Sequence, residues 1–189
     1  MTFSIKHVAA GVAAMALSIA AHAAPFVVDA AANSSSGGTG ASTISLLAGQ
    51  SFSVTVSATD LWNAGPIPRW SNADGLIVNL LATGSDESGF AAGTPIGAPF
   101  ALYTQAGHTA AYGALVGRIG SGSFFTVGTN YSGVAATSGT LQLFYWDSNN
   151  GDNSDFITAN VTAVPESGTL AMALAGLGVL GFLGRRRQA

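Results

Sequence analysis

The chain of 189 residues has no cysteine and, beyond Lys6, no lysine; charged residues make up only 8% of it. Without thiols there is no disulfide framework and no cysteine-ligated metal centre. A fold placed in an oxidising compartment must then be held by its core alone, which a chain of this length can build. Basic surface is missing too. Between Ala24 and Ala163 eight acidic side chains face two arginines, Arg69 and Arg118, a net charge of −6. Such a field repels phosphate backbones and anionic headgroups, which argues against nucleic acid as a partner. Catalytic groups are scarce: His108 is the only histidine of that region and no serine there stands in a Gly-x-Ser-x-Gly context, so the chain reads as a non-enzyme.

What is present is unevenly distributed. Residues 1–23, MTFSIKHVAAGVAAMALSIAAHA, have a basic start, an uncharged stretch from Val8 to Ala21 and small residues at Ala21 and Ala23. This is the pattern of a secretory signal peptide, with Ala24 as the new terminus after cleavage. At the other end, VPESGTLAMALAGLGVLGFLGRRRQA runs uncharged from Gly168 to Gly184. At about 1.5 Å per residue that stretch makes a helix of roughly 25 Å, close to a hydrocarbon core. The sequence therefore predicts a single transmembrane helix over 168–184, with Arg185, Arg186 and Arg187 kept on the cytoplasmic side.

The whole tail, 164–189, resembles the PEP-CTERM sorting signal, also known as the ice-binding protein C-terminal domain. The resemblance lies in Val164, Pro165 and Glu166, a spacer, a glycine-rich apolar span and the arginine cluster. It implies that an exosortase, a transpeptidase-like membrane enzyme, is a partner. It also implies an exported protein, anchored at the cell membrane or envelope or released to the surface and the polysaccharide matrix of a biofilm. Ser167 stands where that family has a second proline.

The region 24–163 is punctuated and alternating, which predicts strands. In SFSVTVSAT, Phe52, Val54, Val56 and Ala58 alternate with polar residues, the period of a strand with one wet face. LIVNLLA (76–82), GALVGRIG (113–120), SFFTVGT (123–129), TLQLFYW (140–146) and DFITANVTAV (155–164) are further short apolar or alternating runs between turn residues. No sustained helical period interrupts them. The fold class expected is all-β, a jelly-roll-like β-sandwich. The Ser/Gly-rich ANSSSGGTGAST (32–43) reads as a flexible loop or mobile edge.

Three motifs carry the chemistry. WNAGPIPRW sets Trp62 and Trp70 around a proline-bent loop, GALVGRIG is a strand with one arginine, and YWDSNNGDNSDF is an oxygen-rich loop between two strands. In order and chemistry they resemble the calcium-dependent galactose-binding lectins of the PA-I galactophilic type, over 113–161 and more weakly over the tryptophan loop. Ser71 to Tyr112 is longer than that family's equivalent and holds no counterpart of its sugar-contacting histidine and glutamine. By resemblance, Asp147 is a carboxylate ligand, Asp152 and Asn153 match a pair of asparagine ligands, and a backbone carbonyl near Ala64 completes a Ca2+ site. The residues themselves supply what a hard cation takes, carboxylate, amide and carbonyl oxygens within nine positions. They would equally cap a long hairpin through their own backbone. A sugar bound there needs an aromatic platform, for which Trp62, Trp70 and Trp146, with Tyr145 beside it, are the candidates. The expected function is an exported carbohydrate-binding envelope or matrix component. The alternative is a structural or adhesive matrix protein without a ligand site.

Overall fold

The computed structural model describes residues 22–164 and 176–177. Most of the expected leader, the sorting residues Pro165, Glu166, Arg185, Arg186 and Arg187, and the predicted span 168–184 apart from Gly176 and Leu177 lie outside the described residues. Among the described residues no helix is long and apolar enough to cross a membrane.

Fourteen strands follow one another between residues 22 and 163: β1 (His22–Asp29), β2 (Ala41–Leu46), β3 (Ser51–Val56), β4 (Trp62–Asn63), β5 (Trp70–Ser71), β6 (Leu80–Leu81), β7 (Pro95–Gly97), β8 (Leu102–Gln105), β9 (His108–Ala111), β10 (Leu115–Ile119), β11 (Phe125–Thr126), β12 (Asn130–Val134), β13 (Gly139–Tyr145) and β14 (Phe156–Ala163). Eight of them build two four-stranded antiparallel sheets, ordered β1-β14-β3-β12 and β11-β10-β13-β2. The chain passes back and forth between the sheets so that its first strand pairs with its last, the order of a jelly roll.

Alternation explains the packing. Phe52, Val54 and Val56 of β3 point inward with Ile157, Ala159 and Val161 of β14, and meet Leu115, Leu141, Leu143 and Tyr145 from the other sheet. In register, Val54 pairs with Val161. Each buried side chain of this kind contributes roughly 1.5–3 kcal/mol relative to leaving it in water. The outward positions Ser51, Thr55 and Phe156 are exposed.

Two expectations need correction. The run 76–82 forms no continuous strand: Leu76 is buried, Ile77 and Val78 are exposed, and only Leu80–Leu81 pairs, with β7. Its apolar residues are spent singly, because the chain crosses here between the tryptophan loop and the β8–β9 hairpin rather than lying in a sheet. The Ser/Gly-rich stretch 32–43 is not a free loop either. Ser34 is fully buried and bridges Tyr145, Ser35 N–H donates to the Tyr145 carbonyl at 2.8 Å, and β2 begins at Ala41.

Strand β1 starts at His22, opposite Ala163; cleavage after Ala23 would leave the pairs from Ala24–Val161 to Asp29–Phe156 in place. Two smaller cores flank the main one. Leu61, Trp70, Ala82 and Ile96 pack under β6–β7, and Ala110, Ala114, Val116 and Trp146 pack under β8–β9.

Candidate functional site

The 147–155 loop joins β13 to β14, and the 64–69 loop joins β4 to β5. The two are clamped together by a backbone pair, Asn63 N–H to the Ser154 carbonyl at 3.0 Å and Ser154 N–H to the Asn63 carbonyl at 3.1 Å. Glycine at 65 is required twice over: its φ is +118°, and a Cβ there would stand 2.7 Å from Asp152 Oδ2. The backbone beside Ala64 is thereby pressed against the Asp152 carboxylate.

Asp147 follows β13 and is 4% exposed. Its Oδ1 accepts the N–H groups of Ser148 and Asn149, and Asn149 in turn donates its side-chain amide to Asp152 Oδ1 at 2.8 Å. Burial raises the Asp147 pKa above the ordinary carboxylate value; the N–H bonds from Asn149 and Ser148 offset part of this, and the Asp152 charge adds to it. Asn153 donates to the Ala30 carbonyl at 3.1 Å, while its Oδ1, also buried, has no partner. Asp147, Asp152, Asn153 and the Ala64–Gly65 backbone thus stand around one end of the sandwich. Among the described residues no group of three or more His, Cys, Asp or Glu converges, so an ion held here depends on amide and carbonyl oxygens as well.

The tryptophans are elsewhere than expected. Trp62 and Trp146 have no exposed surface and Trp70 has 6%. Trp62 lies in the main core, edge-on to Tyr145 at 4.4 Å, and donates Nε1–H to the Gly113 carbonyl at 2.9 Å. Trp146 is covered by the β8–β9 hairpin and donates to the Tyr103 carbonyl at 2.9 Å. Trp70 is covered by Ile96 and Ala82. None of the three has a ring face open to a sugar: Trp62 is enclosed in the main core, and Trp70 and Trp146 are covered by the segment 76–112, which carries no strong period.

That segment supplies a different aromatic surface. Phe100, 44% exposed, meets Tyr112 at 5.2 Å, and the Tyr112 hydroxyl bonds Ser148 Oγ at 3.0 Å, next to Asp147. The Arg69 guanidinium lies over the Phe100 ring, Cζ 3.6 Å from its centre, and the Arg69 carbonyl accepts the Ala64 N–H at 3.0 Å. These contacts close a ring from Ala64–Gly65 to Asp152, Asn149, Asp147, Ser148, Tyr112, Phe100 and Arg69, and back to Ala64.

Buried polar atoms without partners sit at this end of the molecule. They are Asn153 Oδ1, the Tyr145 hydroxyl and Ser71 Oγ. The last two face Gly113, whose absent Cβ would be 3.3 Å and 2.6 Å from them. Burial pushes the Tyr145 hydroxyl well above its usual pKa, the charges of Asp147 and Asp152 add to this, and Arg69 opposes it. Phe100, Tyr112 and Ser71 were invisible as site residues in the sequence, since they lie in 71–112, far in sequence from the oxygen-rich loop and in no motif. His108 stands apart from these groups, edge-on to Trp146 at 5.3 Å with Nε2 bonded to Thr126 Oγ1 at 3.1 Å.

Residues 163–187 match the PEP-CTERM protein-sorting motif. The chain carries a PEP-CTERM sorting signal. It is accordingly an exported, surface-directed protein, and its sorting signal begins at the last residue of β14. A solved structure similar to this chain is the N-terminal domain of EclA, described as a PllA-like lectin, with a TM-score of 0.46, 19% identity, and coverage of 74% of this chain and 95% of that one. No curated protein matches the chain.

Proposed function

We propose that this exported chain is a calcium-dependent glycan-binding module, with cell-surface or extracellular polysaccharide as its partner. The observation that carries this reading is the ring of contacts that ends one side of the sandwich, together with the buried polar atoms left unpaired there. Each buried hydroxyl or amide oxygen without a partner costs about 1–3 kcal/mol. A ligand offering oxygens and positive charge offsets that cost; a hairpin cap does not.

Asp147, Asp152, Asn153 and the Ala64 carbonyl are the groups that would hold calcium. They are oxygens only, with two formal negative charges, the donor chemistry of a hard cation. Calcium, when bound, would neutralise the paired carboxylates and offer coordination positions to vicinal sugar hydroxyls. The chain's own side chains complete the grip. Ser148 and Asn149, both exposed, offer a hydroxyl and an amide, while Phe100 and Tyr112 offer apolar ring surface to a pyranose. The same reading has an exosortase act on the tail, with 168–184 holding the chain in the membrane until then.

Retention of the full chain on a panel of immobilised neutral and acidic polysaccharides, in millimolar calcium and in excess chelator, tests the proposal. Retention in calcium that chelator abolishes, and that Asp147→Ala abolishes, is the expected result. No retention on any resin, or retention indifferent to chelator, refutes it; the former is what a matrix filler without a ligand site would give.

A further inference from the structure

Between Ala24 and Ala163 there are only two cations, and they are used differently. Arg118 of β10 donates to Gln142 Oε1 at 3.0 Å and lies over Phe124 and Phe144 at 5.1 and 5.0 Å, where it closes the outer face of its sheet. Arg69 pairs with no carboxylate among the described residues, although eight acidic side chains share its domain. It stacks on Phe100 instead. A guanidinium seated over a ring face keeps N–H groups free for another acceptor.

The position of Arg69 is fixed as well as its side chain. Its carbonyl is tied to Ala64 N–H, and its backbone forms a bridge with Gly97. It therefore occupies the rim between the tryptophan loop and Phe100, on the same ring of contacts as Asp147 and Asp152. The three charges act on one buried group, the Tyr145 hydroxyl. Arg118 likewise has no carboxylate partner, but its guanidinium donates to Gln142, whereas Arg69 makes no such bond among the described residues. This one is held by an aromatic ring with its hydrogen-bonding edge unspent, which is how an arginine is prepared for an anion that arrives from outside.

We infer that Arg69 is the anion anchor of the glycan site and that the glycan is acidic, a uronate-type sugar whose carboxylate takes the in-plane N–H groups of Arg69 while its hydroxyls face the Asp147–Asp152 loop. This rests on the calcium-dependent reading above and narrows it to one ligand class. The two requirements are linked by charge. Without calcium the paired carboxylates repel an anionic sugar, so the preference for acid over ester appears only in its presence.

The test is titration calorimetry of the full chain in millimolar calcium with trimers of galacturonate and of mannuronate, each compared with its methyl ester. At least tenfold tighter binding of one acid over its ester is expected. Arg69→Gln should erase that preference. Arg69→Lys, which keeps the charge but loses the planar fork, should retain only part of it, and its melting temperature shows whether the loop still folds. Equal binding of acid and ester by the native chain, or an undiminished preference in Arg69→Gln, overturns the acid anchor while the calcium-dependent module stands. Absence of any calcium-dependent binding or melting shift overturns both.

Discussion

Calcium should raise the melting temperature of this protein by an amount that can be worked out beforehand. Asp147 and Asp152 lie close enough for the charge of one to raise the pKa of the other, and Asp147 is almost wholly buried. In the absence of an ion the folded state carries that repulsion together with an unpaired Asn153 oxygen. An ion bound only by the folded state, at a hundred times its dissociation constant, adds about 2.7 kcal/mol of stability. For the described region 22–164, an unfolding entropy of about 2.1 cal/mol/K per residue gives roughly 0.3 kcal/mol per degree, so the shift is about 9 °C. Differential scanning fluorimetry in millimolar calcium and in excess chelator measures it. Asp147→Ala and Asp152→Ala should each remove most of the shift. A melting temperature that is the same in calcium and in chelator would refute the metal site and the sugar bridge built on it, leaving the loop as a hairpin cap worth near 1 kcal/mol.

Three further outcomes are expected. Without calcium, the folded state holds the Asp147 proton to higher pH than the unfolded chain, so stability should fall as pH rises from the ordinary value of 3.8 through the raised one; Asp147→Asn should flatten that slope, and equal slopes in urea titrations of the two would contradict it. Gly65→Ala should lose about 1–3 kcal/mol from its positive φ and also displace Asp152, abolishing the calcium shift. Gly49→Ala, at a φ of +90° with open space around it, should lose stability alone, and a calcium shift that survives Gly65→Ala would rule out the loop geometry. If an exosortase acts at Val164-Pro165-Glu166, intact-mass measurement of protein from its native host should show a chain ending near Glu166 without Arg185, Arg186 and Arg187; the full tail on all material would exclude processing.

Two kinds of strand were legible in the sequence. β3 and β14 alternate apolar with polar or small residues because one face of their sheet is wet, and β10 and β13 read as apolar runs because both faces are covered. β2, with the sequence ASTISL, has few apolar residues to register and reads as linker; β1 is masked by overlap with the leader pattern. In the candidate site, the 147–155 loop stood out because it concentrates carboxylate and amide oxygens within nine positions, whereas Ala64 and the choice of Asp147, Asp152 and Asn153 as ligands came only through the resemblance. The tryptophans could not be placed. A sequence shows that an indole exists, whereas burial depends on what covers it, and the cover comes from residues 76–112, where single apolar side chains serve separate small cores. The same segment brings Phe100 and Tyr112 to the rim, far in sequence from the loop they border.

Strand β14 has a polarity that matters for display. It starts at the acidic loop and ends at Ala163, and the next residue, Val164, donates its N–H to the Ser51 carbonyl at 2.9 Å while its carbonyl accepts the Gln50 amide. Eight residues at about 3.3 Å each put roughly 26 Å between those two points. β1 runs the other way, so the chain enters and leaves the sandwich at the same end, with His22 opposite Ala163. The chain therefore leaves the sandwich at the end opposite the ring of Asp147, Tyr112 and Arg69. The match to the sorting motif begins at Ala163, in the last strand, and the backbone stays bonded to the sheet up to Val164.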